Sequence, residues 1–185
     1  MLSILYFGNK ETMIRANIQA LVVFSPPSPS AVVLSPADAS LTKTNPDGAR
    51  VTPVIPIWVG TPESAALSLA LDNHKNARPS THDLLLNSIS TLDALVKEVH
   101  ITQFDGRIFY AELVLTQYER ELILDSRPSD AIILATRENV PIFVKDELFE
   151  QAALPLISKK ELNEELKIQE FHDFLENLSP GDFSA

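Results

Sequence analysis

The chain contains no cysteine, which excludes disulfides, thiolate metal sites and thiol nucleophiles, and fits a reducing compartment. It also lacks any apolar run approaching the length a membrane-spanning helix needs, so a membrane is not an expected partner. The N-terminal Met1-Leu2-Ser3-Ile4-Leu5-Tyr6-Phe7 is briefly apolar but has neither a basic leader nor a small-residue cleavage site, so it does not read as a secretion signal. The expected location is therefore cytoplasmic. A basic cluster is missing too. Residues 1–50 carry four basic and three acidic groups, 51–150 eight and fifteen, and 151–185 three and seven, so the net charge of −10 is not confined to a detachable tail. Binding to a phosphate backbone draws on Lys and Arg displacing counterions, so tight, metal-free binding of DNA is disfavoured. No Gly-x-Ser-x-Gly elbow is present to expose a nucleophilic serine.

What the chain does have, over 185 residues with 45% hydrophobic content, is enough apolar material for one main domain with one good core. Its most informative feature is a repeated phrase, Arg78-Pro79-Ser80 and Arg127-Pro128-Ser129, each followed by an acid-bearing helix start. The first continues Thr81-His82-Asp83 into Leu84-Leu85-Leu86, the second Asp130 into Ala131-Ile132-Ile133-Leu134-Ala135. Pro suits a first helical turn because its missing N–H would have no partner there. Ser80 with Asp83 has the spacing of a capping box, and Asp130 suits the positive end of a helix dipole. Capping accounts for the serines and threonines but not for His82 or the two arginines. Arg side chains beside the N–H groups of a helix start form an anion site.

Along the chain, Met13 to Phe24 reads as a first strand and Ala31 to Leu34 as its hairpin return, with residues 35–53 a loop-like surface excursion. Val54 to Gly60 reads as a strand leading into a helix with Thr61 as N-cap, Pro62 at the first position and Glu63 in the first turn. That helix, apolar on most sides through Ala65, Ala66, Leu67, Leu69, Ala70 and Leu71, is expected to pack centrally. Val96 to Thr102 and Arg107 to Thr116 form a strand pair across Asp105-Gly106, and Glu121 to Asp125 is another strand. Pro141 to Val144 is expected as the last core strand, before a short helix around Asp146 to Ala153. Val140-Pro141-Ile142-Phe143-Val144 echoes Ile55-Pro56-Ile57-Trp58-Val59, either an old duplication of a strand-helix unit or a coincidence of strand-helix grammar. Trp58, Phe109 and Tyr110 are expected as core or interface aromatics rather than base-stacking platforms. Residues 159–177 are expected as an acidic amphipathic helix, explained by core docking or subunit contact.

The segments VIPIWVGTPESAALSLAL, RPSTHDLLLNSI, DGRIFYAELVL and LILDSRPSDAIILATRENVPIFV, in this order and spacing, resemble the bifunctional nuclease domain family. The resemblance covers residues 13–157, leaving 1–12 as an N-terminal extension, and 158–185 resembles the C-terminal extension of some bacterial members. It implies an α+β fold with a mixed or antiparallel sheet, assembly into homo-oligomers, and nuclease activity toward both DNA and RNA.

Phosphodiester hydrolysis needs an activated water, stabilised charge on the phosphoryl oxygens and an orienting scaffold, commonly supplied by carboxylate-held Mg²⁺ or Mn²⁺. Glu63, Asp83, Asp125 and Asp130 sit at or beside helix starts and are the candidate metal ligands. His82 is the candidate for proton transfer, with Asp83 beside it, against the plainer role of a structural histidine bonded to a carboxylate. Arg78 and Arg127 are candidate phosphate clamps, or else ion-pair partners of Asp125 or Asp130; Ser80, Thr81 and Ser129 complete the phosphate-binding set. Acids neutralised by divalent ions can hold a phosphate, so the expected nucleic-acid partner is bound weakly, through metal, and as a flexible or single strand. The competing expectation is a non-enzymatic module holding a small anion, or an oligomeric regulatory scaffold.

Overall fold

The computed structural model describes residues 12–24, 28–46 and 48–158. The expected segments at residues 1–11 and 159–185, including the amphipathic helix, lie outside the described residues. The first strand, β1 (Met13–Val22), and β2 (Ser30–Pro36) form the expected antiparallel hairpin. Then come β3 (Lys43–Thr44), β4 (Arg50–Val59), α1 (Thr61–Leu71), α2 (Thr81–Thr91), β5 (Ala94–Phe104), β6 (Phe109–Gln117) and β7 (Arg120–Ser126). The chain closes with α3 (Pro128–Glu138), β8 (Ile142–Lys145), α4 (Asp146–Gln151) and β9 (Leu154–Ser158). The sheet runs β3-β4-β2-β1-β8-β5-β6-β7, with β9 added to β4, and only the β5–β8 pairing is parallel. This is the expected α+β fold with a mixed sheet.

The centre of the molecule is α3. Ala131, Ile132, Ile133, Leu134 and Ala135 are each at most 1% exposed, and five consecutive buried positions leave no solvent-facing stripe. α1 and α2 pack on α3, which also lies against β4, β5 and β6. Four strands separate β4 from β6 in the sheet order, so a flat sheet could not bring both against one helix. The sheet curls around α3, as sheet twist allows. On its other face a smaller cluster forms from Val22, Val33 and Val54, so that β2 is buried along its whole length.

Several local expectations are corrected. Residues 35–53 are not one loop: β2 extends through Pro36, Asp38 caps a 3-10 turn at Ala39–Leu41, and β4 begins at Arg50. α1 is not central. It buries a single stripe, Ser64, Leu67 and Ala70, and leaves Leu69 and Leu71 at 37% and 45% exposure. Its N-cap is Gly60, with Pro62 one position later than expected. β9 follows what was expected as the last core strand, because β4 is long enough for Arg50 to Val54 to pair with it while Ile55 to Val59 pairs with β2. The two strand-helix units are unlike: β4 leads into the 11-residue α1, β8 into the six-residue α4.

Two turns aim the β5–β6–β7 meander. Phe104 and Phe109 pair directly, and in the intervening loop Asp105 Oδ1 accepts the N–H groups of Arg107 and Ile108, each at 2.9 Å, while Gly106 takes φ +90°. Between β6 and β7, Tyr118 and Glu119 form a two-residue turn with φ +47° and +62°, the left-handed pair that suits strand twist.

Candidate functional site

Three helices begin close together. β4 ends at Val59 and Gly60 caps α1; a Cβ on Gly60 would lie 2.5 Å from Glu63 Oε2, so the absent side chain makes room for the acid. β7 runs into Arg127, the N-cap of α3, with Pro128 in the first turn. Arg127 grips Asp130 through two bonds, Nε to Oδ2 at 2.7 Å and Nη2 to Oδ1 at 3.1 Å, and reaches Glu63 Oε1 through Nη1 at 3.1 Å. From α2, His82 Nε2 meets Asp130 Oδ1 at 3.4 Å. The result is a continuous chain, Glu63, Arg127, Asp130, His82, drawn from α1, α3 and α2.

Its electrostatics follow from these contacts. Burial raises the Asp130 carboxyl, but the Arg127 hydrogen bonds and charge, with His82, outweigh it and hold the group below the usual carboxylate value. The Asp130 hydrogen bond raises the already high Arg127 value further. An ionised carboxylate only accepts, so the His82–Asp130 bond requires the proton on Nε2 and leaves Nδ1 of the neutral ring as an acceptor. The Arg127 side chain is 65% exposed, and three of its five N–H groups are committed to the two acids. The other two N–H groups make no hydrogen bond among the described residues.

The other candidate residues stand outside this chain of bonds. Asp83 forms the capping box: its Oδ2 accepts Ser80 N–H at 2.9 Å and Ser80 O–H at 2.8 Å, while Ser80 Oγ accepts Asp83 N–H at 3.2 Å. These Ser80 bonds are the main reason its carboxyl lies below the usual range. Its Oδ1 faces Arg137 Nε at 3.7 Å, so the adjacent His82 and Asp83 diverge toward opposite ends of α3. Arg137 Nη1 also donates to the His74 carbonyl at 2.6 Å, which makes Arg137 a strut between α2, α3 and the segment after α1. Arg78 is exposed, with no ion pair among the described residues. Asp125 pairs with Glu112, in alternation with Leu113 and Ala111 of the core, so it lies on the sheet face away from α3. Thr81 is exposed, and Ser129, with Arg127 as cap, is not the N-cap of α3.

Beside the ionic chain opens a cleft of about 320 Å³, floored by Gly60, Glu63, Arg127, Pro128 and Ser129. Its walls bring together residues the sequence did not associate: Trp58 from β4, and Phe104, Arg107 and Phe109 from the β5–β6 hairpin. The only local signal was a pair of phenylalanines bracketing an Asp-Gly turn; that they face β4 depends on the curl of the sheet. Among the described residues no group of three or more His, Asp or Glu could hold a metal ion.

A mixed sheet curled around a buried helix, with Arg, His and carboxylate side chains bonded together at helix starts, defines an α+β domain. Residues 47–156 match the family model described as the bifunctional nuclease domain, and the chain belongs to that family. It is similar to an uncharacterized protein of Mycobacterium tuberculosis, 37% identical over 136 residues, covering 71% of this chain and 81% of the relative. It is also similar to Bifunctional nuclease 2 of Oryza sativa subsp. japonica, 34% identical over 123 residues, 65% of this chain and 34% of the relative. For Bifunctional nuclease 2 of Arabidopsis thaliana the figures are 29% over 115 residues, 60% and 35%. Thus the chain spans about a third of these plant relatives. No helix among the described residues is long and apolar enough to cross a membrane.

Proposed function

We propose that the protein is a nuclease hydrolysing phosphodiester bonds of RNA and DNA, with modest affinity and with help from a divalent cation. The observation that carries this reading is the bonded chain from Glu63 through Arg127 and Asp130 to His82, whose first two members line a cleft. In the reaction His82 Nδ1 takes the proton of the attacking water and Asp130 stabilises the imidazolium that results. The two uncommitted Arg127 N–H groups bind the phosphoryl oxygens as their charge grows. The bond from phosphorus to the leaving sugar oxygen breaks, and that oxygen recovers a proton from the imidazolium.

In this reading Mg²⁺ or Mn²⁺ would be held by Glu63 and Asp130, with Arg127 giving up part of its grip on them. Glu63 and Asp130 are the two acids that share Arg127, whereas Asp83 is spent on its cap and Asp125 lies across the sheet. Two carboxylates would suit a cation that keeps several of its waters. When bound, it neutralises charge on the phosphoryl oxygens. The test is cleavage of labelled RNA and DNA with Mg²⁺, Mn²⁺ or EDTA, comparing wild type with His82→Ala and Asp130→Asn. Cleavage surviving both substitutions would overturn the assignment, and cleavage indifferent to EDTA would remove the metal from it.

The lack of a three-ligand cluster among the described residues favours a second reading, a non-enzymatic anion-holding module. Thermal stabilisation by phosphate with no metal effect and no cleavage would select it. Assembly into a homo-oligomer in the cytoplasm belongs to the same proposal. The exposed Leu122, Ile123 and Leu124 on the terminal strand β7 support self-association, and light scattering on the purified chain measures it.

A further inference from the structure

We infer that the cleft beside Arg127 is the seat of one unpaired nucleotide, its base held by the aromatic walls and its phosphate directed to the guanidinium groups. The inference rests on the nuclease reading and specifies its substrate as single-stranded.

The cleft exists because the curled sheet fails to close. Residues Leu154–Ser158 of β9 cover one edge of β4 only as far as Val54, so beyond it that edge has no strand partner among the described residues. Facing it is the tip of the β5–β6 hairpin, whose Phe104 and Phe109 rings stack with centroids 4.4 Å apart at 27°. With Trp58 they give the gap aromatic surface, and a flat heterocycle gains about 1–3 kcal/mol per base from such stacking whatever its identity. The volume, about 320 Å³, is at the small end of ligand pockets, enough for one nucleotide and too little for a stacked pair.

Charge completes the fit. In a chain of net charge −10, this cleft is lined by two arginines and one acid, and Glu63 is already paired to Arg127. Arg107 stands at the hairpin tip, exposed and without an ion pair among the described residues. A phosphate between Arg107 and Arg127 would meet the same guanidinium that grips Asp130. A duplex keeps its bases stacked inward and offers none to such a slot, so the substrate class is unpaired RNA or DNA. The same open edge could instead accept an extended peptide by strand addition, but that mode makes no use of the arginines.

The protein carries a single tryptophan, Trp58, in the wall of this cleft, so its emission reports occupancy directly. With EDTA present to prevent cleavage, ten-residue oligo-dT and oligo-rU should change Trp58 emission saturably. An abasic ten-residue strand or a blunt duplex should bind at least about ten-fold more weakly. Arg107→Ala should weaken oligo-dT binding by about ten-fold, Phe109→Leu should narrow the gap between oligo-dT and the abasic strand, and Arg50→Ala, away from the cleft, should change neither. Equal affinity for the abasic strand overturns the inference, as does a Trp58 response to an extended Thr-Val repeat peptide but not to oligonucleotides. Cleavage without any Trp58 response would sink the cleft while sparing the nuclease reading. An Arg107-dependent response without cleavage under any ion would do the reverse.

Discussion

At the scale of single residues the site turns on Arg127, whose planar fork satisfies two acids from different helices. Lysine keeps the charge but not the fork. Arg127→Lys should therefore reduce cleavage by at least about ten-fold, with the melting temperature moving only a few degrees, as expected for a mostly exposed side chain. Arg127→Ala makes a sharper test. Without the guanidinium, burial still raises the Asp130 carboxyl and only His82 opposes it, so that carboxyl should titrate at higher pH than in wild type, as read by carbon NMR. The sign follows from linkage: a depressed folded value adds stability above the unfolded carboxylate range near about pH 4, and that stability is lost as pH falls through the folded value. An unchanged Asp130 titration would show that Arg127 does not hold it in solution. Gly60→Ala probes the same pair from the other side. Its φ of −71° suits alanine, yet the new methyl would displace the flexible Glu63 carboxylate, so the fold should persist while the Glu63–Arg127 contact is lost, as a crystal structure of the variant would show.

At the scale of elements, local grammar was legible where it closes on itself. Ser80 and Asp83 announce a capping box from their spacing, and the box is present with both reciprocal bonds. Ser80→Ala should cost about 1 kcal/mol, a fall of roughly 2–4 °C in melting temperature. Because the Ser80 bonds lower the Asp83 carboxyl, the gap between variant and wild type should be full above about pH 4 and shrink as acid protonates Asp83. A gap independent of pH would show that the carboxylate has no part in the cap. What was not legible was which helix lies at the centre. The α1 sequence is apolar on most sides and the chain nonetheless leaves Leu69 and Leu71 exposed, because α3, with five consecutive small or aliphatic residues, takes the interior position. Composition ranks the two helices alike; the sheet's curvature chooses between them. Asp83 and Asp125 show the same limit for the site. Both sit beside helix starts in sequence, yet cap geometry claims one and strand alternation turns the other outward.

At the scale of the molecule, the pairing of His82 with Asp130 across 48 residues depends on α2 and α3 packing, and the cleft depends on how nearly the two ends of the sheet meet. Neither has a local signature. Both depend on α3 as the body around which the sheet is wound, which makes a single prediction test the architecture. Ile133 is 1% exposed, and Ile133→Ala should destabilise the fold by about 2–5 kcal/mol, since the cavity left behind cannot collapse within an enclosed helix. Urea unfolding followed by far-UV dichroism reports the helices and strands, while Trp58 emission reports the seam between β4 and the hairpin. If α3 organises both, the two midpoints fall together with unchanged slope. If the Trp58 transition instead separates from the dichroism and moves to lower urea, the seam opens as an independent unit, and the wrapped-helix account of how the site is held together is wrong.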